Sequence, residues 1–203
     1  MPTSPRPSIT RRSLLVATAL LAASGGAVQT SRAATLPPHF EPNAKVDVGS
    51  GLRCVVGNAT DADGMNARAW VVVEDIKTHK VRWATNVPLE KGWYQNQATH
   101  CLENGKKVQA LIQSDTASEA ATAQTFVDVA SFDGTTGKLL SVEPVTAPGV
   151  HGKVSLTVDK AASNFQLKNG HAVVTGTWSM LPDRAEDTPF TASPSPAAKG
   201  DKQ

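Results

Sequence analysis

The chain has 203 residues, 40% hydrophobic and 19% charged, with 15 Gly, 13 Pro and only 2 Cys; this excludes collagen-like, coiled-coil and disulfide-knot classes and fits one globular domain. Lys and Arg number 20 against 18 Asp and Glu, but four Arg (Arg6, Arg11, Arg12, Arg32) fall in an N-terminal leader that contains no acid. The sixteen basic residues that follow leave a net charge of −2, which gives no electrostatic case for nucleic acid as a partner.

Residues 1–34 read as an export signal: basic residues, an apolar run from Leu14 to Ala23, Gly25-Gly26, and small residues around Ala33. The pair Arg11-Arg12, followed by Ser13-Leu14-Leu15, resembles the twin-arginine motif of bacterial export. No later run approaches the 18 or so apolar residues of a membrane-spanning helix, so no transmembrane anchor is expected. The expected location is the periplasm or the medium. In that oxidising compartment Cys54 and Cys101 are expected to form a disulfide. Residues 35–45, with Pro37, Pro38 and Pro42, read as an extended arm.

From residue 46 the hydrophobic period is two. Val81, Trp83, Thr85 and Val87 alternate with Lys80, Arg82, Ala84 and Asn86; Val108, Ala110 and Ile112 alternate with Lys107, Gln109, Leu111 and Gln113; Val154, Leu156 and Val158 alternate with Lys153, Ser155, Thr157 and Asp159. These are strands with one covered face. Turn signals stand between strand-like runs at Asp75–Lys80, Glu103–Lys106, Asp133–Lys138 and Lys168–His171, which makes hairpins. Thr116–Gln124 reads as a loop or a single helical turn. The fold expected is all-β: an antiparallel meander of hairpins over 46–179, a partial propeller or a twisted sandwich, followed by a disordered tail at 180–203 rich in Pro, Ser and Ala.

The chain repeats itself. Trp70–Trp83 (WVVVEDIKTHKVRW) and Asp128–Ser141 (DVASFDGTTGKLLS) align at an offset of 58 residues, each a strand, an Asp, a Thr-containing turn, a Lys and a second strand. A third, incomplete copy starts at Phe165–Trp178. The pattern resembles the PQQ-like β-propeller repeat, a strand followed by Asp-x-x-Thr-Gly-Lys, two residues and Trp. Asp133–Lys138 keeps the turn but has Ser141 at the Trp position; Asp75–Trp83 keeps the Trp but has His79 at the Gly position. The resemblance implies blade-like four-stranded units, of which this chain holds two and a fraction. A ring of that kind needs four or more, so the expected outcome is a blade-like pair folded back on itself.

Motifs that carry chemistry are sparse. Asp61-Ala-Asp63-Gly64 fails as a calcium loop, because Ala59 and Trp70 occupy the positions that need carboxylates. The five histidines (His39, His79, His100, His151, His171) show no metal spacing, so no metal or cofactor is expected. Trp93-Tyr94-Gln95-Asn96-Gln97 and His100 form the one amphipathic cluster, and Trp93, Tyr94, Asn96 and His100 are the candidate binding residues. The functional expectation is a non-catalytic exported protein that binds an envelope protein or polymer. The alternatives are a hydrolase using Asp115, His100 or Glu74, and an immunity or inhibitor protein with Gly92–Thr99 as its contact loop.

Overall fold

The computed structural model describes residues 34–119, 123–182, 184 and 186–195; the leader, apart from Ala34, lies outside them, as do residues 196–203. The expected all-β meander is what forms. Strands β1 (Phe40–Asp47), β2 (Leu52–Ala59), β3 (Arg68–Asp75) and β4 (Val81–Asn86) make a first antiparallel sheet in chain order. Strands β5 (Gln95–Asn104), β6 (Lys107–Asp115), β7 (Thr125–Asp133) and β8 (Leu139–Val145) make a second in the same order. In the third sheet, β11 (His171–Met180) pairs with β10 (Phe165–Lys168) and β9 (Val154–Thr157) along one edge and with β12 (Thr188–Ala192) along the other.

The sheets stack in series, with the second in the middle. One core packs Cys54, Val56, Val71, Val73 and Trp83 of the first sheet against Val108, Ala110, Ile112, Ala130 and Phe132 of the second. The other packs Leu111, Val127, Val129 and Val145 of the second against Leu156, Phe165, Ala172, Val174 and Phe190 of the third. The middle sheet is therefore covered on both faces, and β6 is buried along nearly its whole length. The sequence reading gave β6 one wet face holding Gln109 and Gln113. Both are buried instead, and each is satisfied by the protein. Gln113 donates from Nε2 to the Val158 carbonyl at 2.9 Å and accepts the Val158 N–H at 3.0 Å. Its amide thus meets both backbone groups of Val158, bridging the second and third sheets, which is why a buried glutamine is tolerated there.

Two boundaries differ from expectation. The arm read at 35–45 is strand β1 from Phe40 onward, paired with β2 through a bulge at Asn43. The stretch read as a disordered tail contributes β12, where Phe190, opposite Gly176, is buried in the second core. Prolines at 182 and 189 disguise this strand, and its partner Gly176 supplies no side chain to signal the pairing. Burial of Phe190 decides it, since fully covering such a ring is worth about 2 kcal/mol.

The two Asp-Thr turns of the internal repeat match in their hydrogen bonds, Asp75 alone adding an ion pair with Arg82. At Asp75 the carboxylate accepts the N–H groups of Lys77 (3.1 Å) and Thr78 (2.9 Å) and the Thr78 hydroxyl (3.0 Å). At Asp133 it accepts Thr135 N–H (3.1 Å), Thr136 N–H (2.7 Å) and the Thr136 hydroxyl (2.8 Å). Even the braces match: Ile76 N–H donates to the Gly51 carbonyl and Gly134 N–H to the Lys106 carbonyl, each at 2.9 Å. Asp75 is held at a pKa of about 2, chiefly by the Thr78 N–H and hydroxyl and by Arg82; Asp133 is lowered chiefly by Thr136. These two acids are turn builders.

Candidate binding groove

Cys54 on β2 and Cys101 on β5 are paired at disulfide distance across the first and second sheets, with Cα atoms 6.6 Å apart. This staple sets the height at which β5 enters the second sheet, and with it the loop just before β5 that carries Trp93 and Tyr94. The loop is pinned from several sides. Tyr94 N–H donates to the Asp115 carbonyl at 2.9 Å, Trp93 N–H to the Glu90 carbonyl at 3.1 Å, and the Arg68 guanidinium to the Tyr94 carbonyl at 3.1 Å.

Trp93 is thereby laid flat on Phe126, with ring centroids 4.7 Å apart and planes 9° from parallel. The stacked pair opens onto a groove of about 370 Å³. Phe126, Asp128 and Pro144 line it from one face of the β7–β8 pair, and Val127 and Val145 from the other, with Ala147, Val150, Val154 and Leu156 beyond. Gln124 spans one side, donating from Nε2 to the Val154 carbonyl at 2.7 Å, and Thr125 N–H donates to Ser155 Oγ at 3.0 Å. These two bonds hold β9 beside β7, so the groove has fixed walls.

Asp128 is the one ionisable side chain in that lining. It makes no hydrogen bond or ion pair with any described residue, and burial alone pushes its carboxyl up from 3.8 to about 6. The repeat shows that the fold does not require it: 58 residues earlier, at the same place on β3, stands Trp70. An uncompensated carboxylate among apolar walls is a cost to folding. The sequence reading missed Asp128; the signal was a charge inside an otherwise apolar strand, opposite a Trp in the repeat.

The four candidate residues are not brought together. Trp93 lines the groove. Tyr94 extends its hydroxyl toward Met65 Sδ at 4.0 Å. Asn96 is buried, accepting Ala69 N–H at 2.8 Å and donating to the Val87 carbonyl at 3.2 Å, a clamp between the first two sheets. His100 is buried too. Its Nε2–H donates to the Ala161 carbonyl at 3.1 Å, which leaves Nδ1 to accept the Thr99 hydroxyl at 3.0 Å, and its ring meets the edge of Phe165. Burial lowers its pKa, so the neutral ring is the folded form.

The acids weighed for a hydrolase are also dispersed. Asp115 accepts Gln95 Nε2 at 2.9 Å and the Thr125 hydroxyl at 2.7 Å. It pairs opposite Gln95, five positions along β5 from His100, roughly 15 Å away at strand spacing. Glu74 shares a face of the first sheet with Val72, away from the second sheet. Among the described residues no group of three or more His, Cys, Asp or Glu is arranged to hold a metal ion, and no helix is long and apolar enough to cross a membrane. Comparison with family models, curated proteins and solved structures returns no match.

Proposed function

We propose that this protein is an exported, non-catalytic member of the cell envelope that binds another macromolecule through the groove beside Trp93. The observation that carries the reading is the Trp93–Phe126 stack, a large flat apolar surface held at the mouth of a walled groove of about 370 Å³. That volume lies within the range of pockets that take small molecules or a few side chains of a partner. Tryptophan fixed by backbone hydrogen bonds loses little entropy on binding, which is what makes such residues energetic anchors of interfaces.

Export rests on the twin-arginine-like leader, and the paired Cys54 and Cys101 fit an oxidising compartment. The kinship to PQQ-like repeats is likewise proposed. It is supported by the matching hydrogen bonds of the turns at Asp75 and Asp133 and by two four-stranded sheets built in the same chain order. The test is capture from envelope extract, comparing the wild-type protein with Trp93→Ala. A partner retained by the first and lost by the second supports the reading. Equal capture by both, or none by either, refutes it.

A further inference from the structure

Resting on that reading, we infer that the groove recognises a cationic side chain: its occupant is a polypeptide segment presenting a Lys or Arg between apolar residues. The walls are apolar and aromatic, and within them stands one carboxylate, Asp128, with no partner among the described residues. A purely apolar occupant would leave that carboxylate still more desolvated, and an anionic one would repel it. An ammonium or guanidinium group satisfies it, and the alkyl stem below the charge lies along Phe126 and Pro144, which share its face of the sheet.

The exposed face of the Trp93–Phe126 stack adds a second attraction for a cation, since the ring face carries negative potential. A polypeptide suits the walls better than a free amine. The lining joins residues of β7, β8 and β9 with Trp93, and its volume of about 370 Å³ exceeds that of one side chain; apart from Asp128, Gln124 and Thr146 its side chains are apolar. Residue choice supports the same conclusion. The repeat places Trp70 where Asp128 stands, so the strand accepts an apolar residue there, yet the groove copy holds an acid.

The inference is tested with the full chain in its oxidised form and three probes: the blocked pentapeptide acetyl-Ala-Leu-Lys-Leu-Ala-amide, the same peptide with norleucine for Lys, and n-butylammonium. Binding is read from the Trp93 indole N–H resonance at pH 7.5. The expected result is binding of the Lys peptide about tenfold tighter than the norleucine peptide, the value of one charge-assisted contact. Asp128→Asn is expected to abolish that preference, weakening the Lys peptide and tightening the norleucine peptide, whose binding no longer desolvates a carboxylate. Equal affinity for the two peptides, or no binding of either, overturns the inference. Butylammonium binding as tightly as the Lys peptide overturns the polypeptide assignment. Capture of a partner that depends on Trp93 but is indifferent to Asp128→Asn would leave the groove's binding role standing and refute the cation.

Discussion

The indole of Trp83 lies flat against Gly137, with its Nε1–H donating to the Gly134 carbonyl at 3.0 Å. The two residues belong to neighbouring units of the repeat: Trp83 sits on the last strand of the first sheet, Gly137 in the last turn of the second. Thr85 Oγ1 completes the contact by donating to the Gly137 carbonyl at 2.7 Å. A Cβ at residue 137 would stand 2.5 Å from the Trp83 ring, and φ there is +71°. Gly137→Ala is therefore expected to cost about 2–4 kcal/mol through overpacking and left-handed strain combined. The equivalent residue of the first sheet, His79, also has positive φ (55°). His79→Gly should raise stability by up to about 1 kcal/mol. Urea unfolding of both variants checks the pair; a Gly137→Ala protein as stable as wild type would sink the docking account.

Much of this was legible because it is local. The Asp-Thr turns at 75 and 133 are written within six residues, and the 58-residue offset follows from them. The Trp–Gly mismatch between copies is visible in the sequence but its meaning is not: Trp83 and Gly137 are the two halves of one contact, and His79 and Ser141 occupy the corresponding positions that do not make it. What was not legible is non-local. A period of two looks the same whether the polar face meets water or another sheet, so Gln109 and Gln113 passed as solvated. Phe190 reads as tail until β11 is beside it. Asn96 and His100 look available in sequence, and only the packed sheets show their polar atoms already engaged.

The cysteine pair closes a loop 47 residues long between the first two sheets. In the chain-entropy account such a closure is worth about 4 kcal/mol. Reduction is expected to lower the urea midpoint without changing the groove in the surviving folded fraction. Thiol titration of denatured, unreduced protein should find no free thiol; two per chain would remove the staple from the account.

Gln113 makes a prediction about the third sheet. Gln113→Ala strips both hydrogen bonds from Val158, whose N–H and carbonyl are then left buried, and it opens a space between two sheets. The expected loss is about 2–4 kcal/mol. Because the bond joins the second and third sheets, amide exchange should quicken most in β9 to β12. Uniform acceleration across all three sheets would contradict the tether.

Asp128 gives the protein a pH signature with a definite sign. Well below pH 3.8 its carboxyl is protonated in both the folded and unfolded chain, and burial carries no charge penalty. Between pH 4 and 6 the unfolded chain ionises at its ordinary value of 3.8, while the folded one holds its proton up to about 6. The folded state then binds more protons, so stability falls as pH rises through this window. Above pH 6 the full penalty applies, at most about 3 kcal/mol for a displacement of this size and less once water reaches the groove. Asp128→Asn removes it: the variant should be more stable than wild type by about 1–2 kcal/mol at pH 7.5 and indistinguishable from it near pH 3.5. Parallel urea titrations at the two pH values measure the difference. An equal gain at both would mean that shape rather than charge separates the two side chains, and the groove's carboxylate would lose its claim to be held there for a ligand.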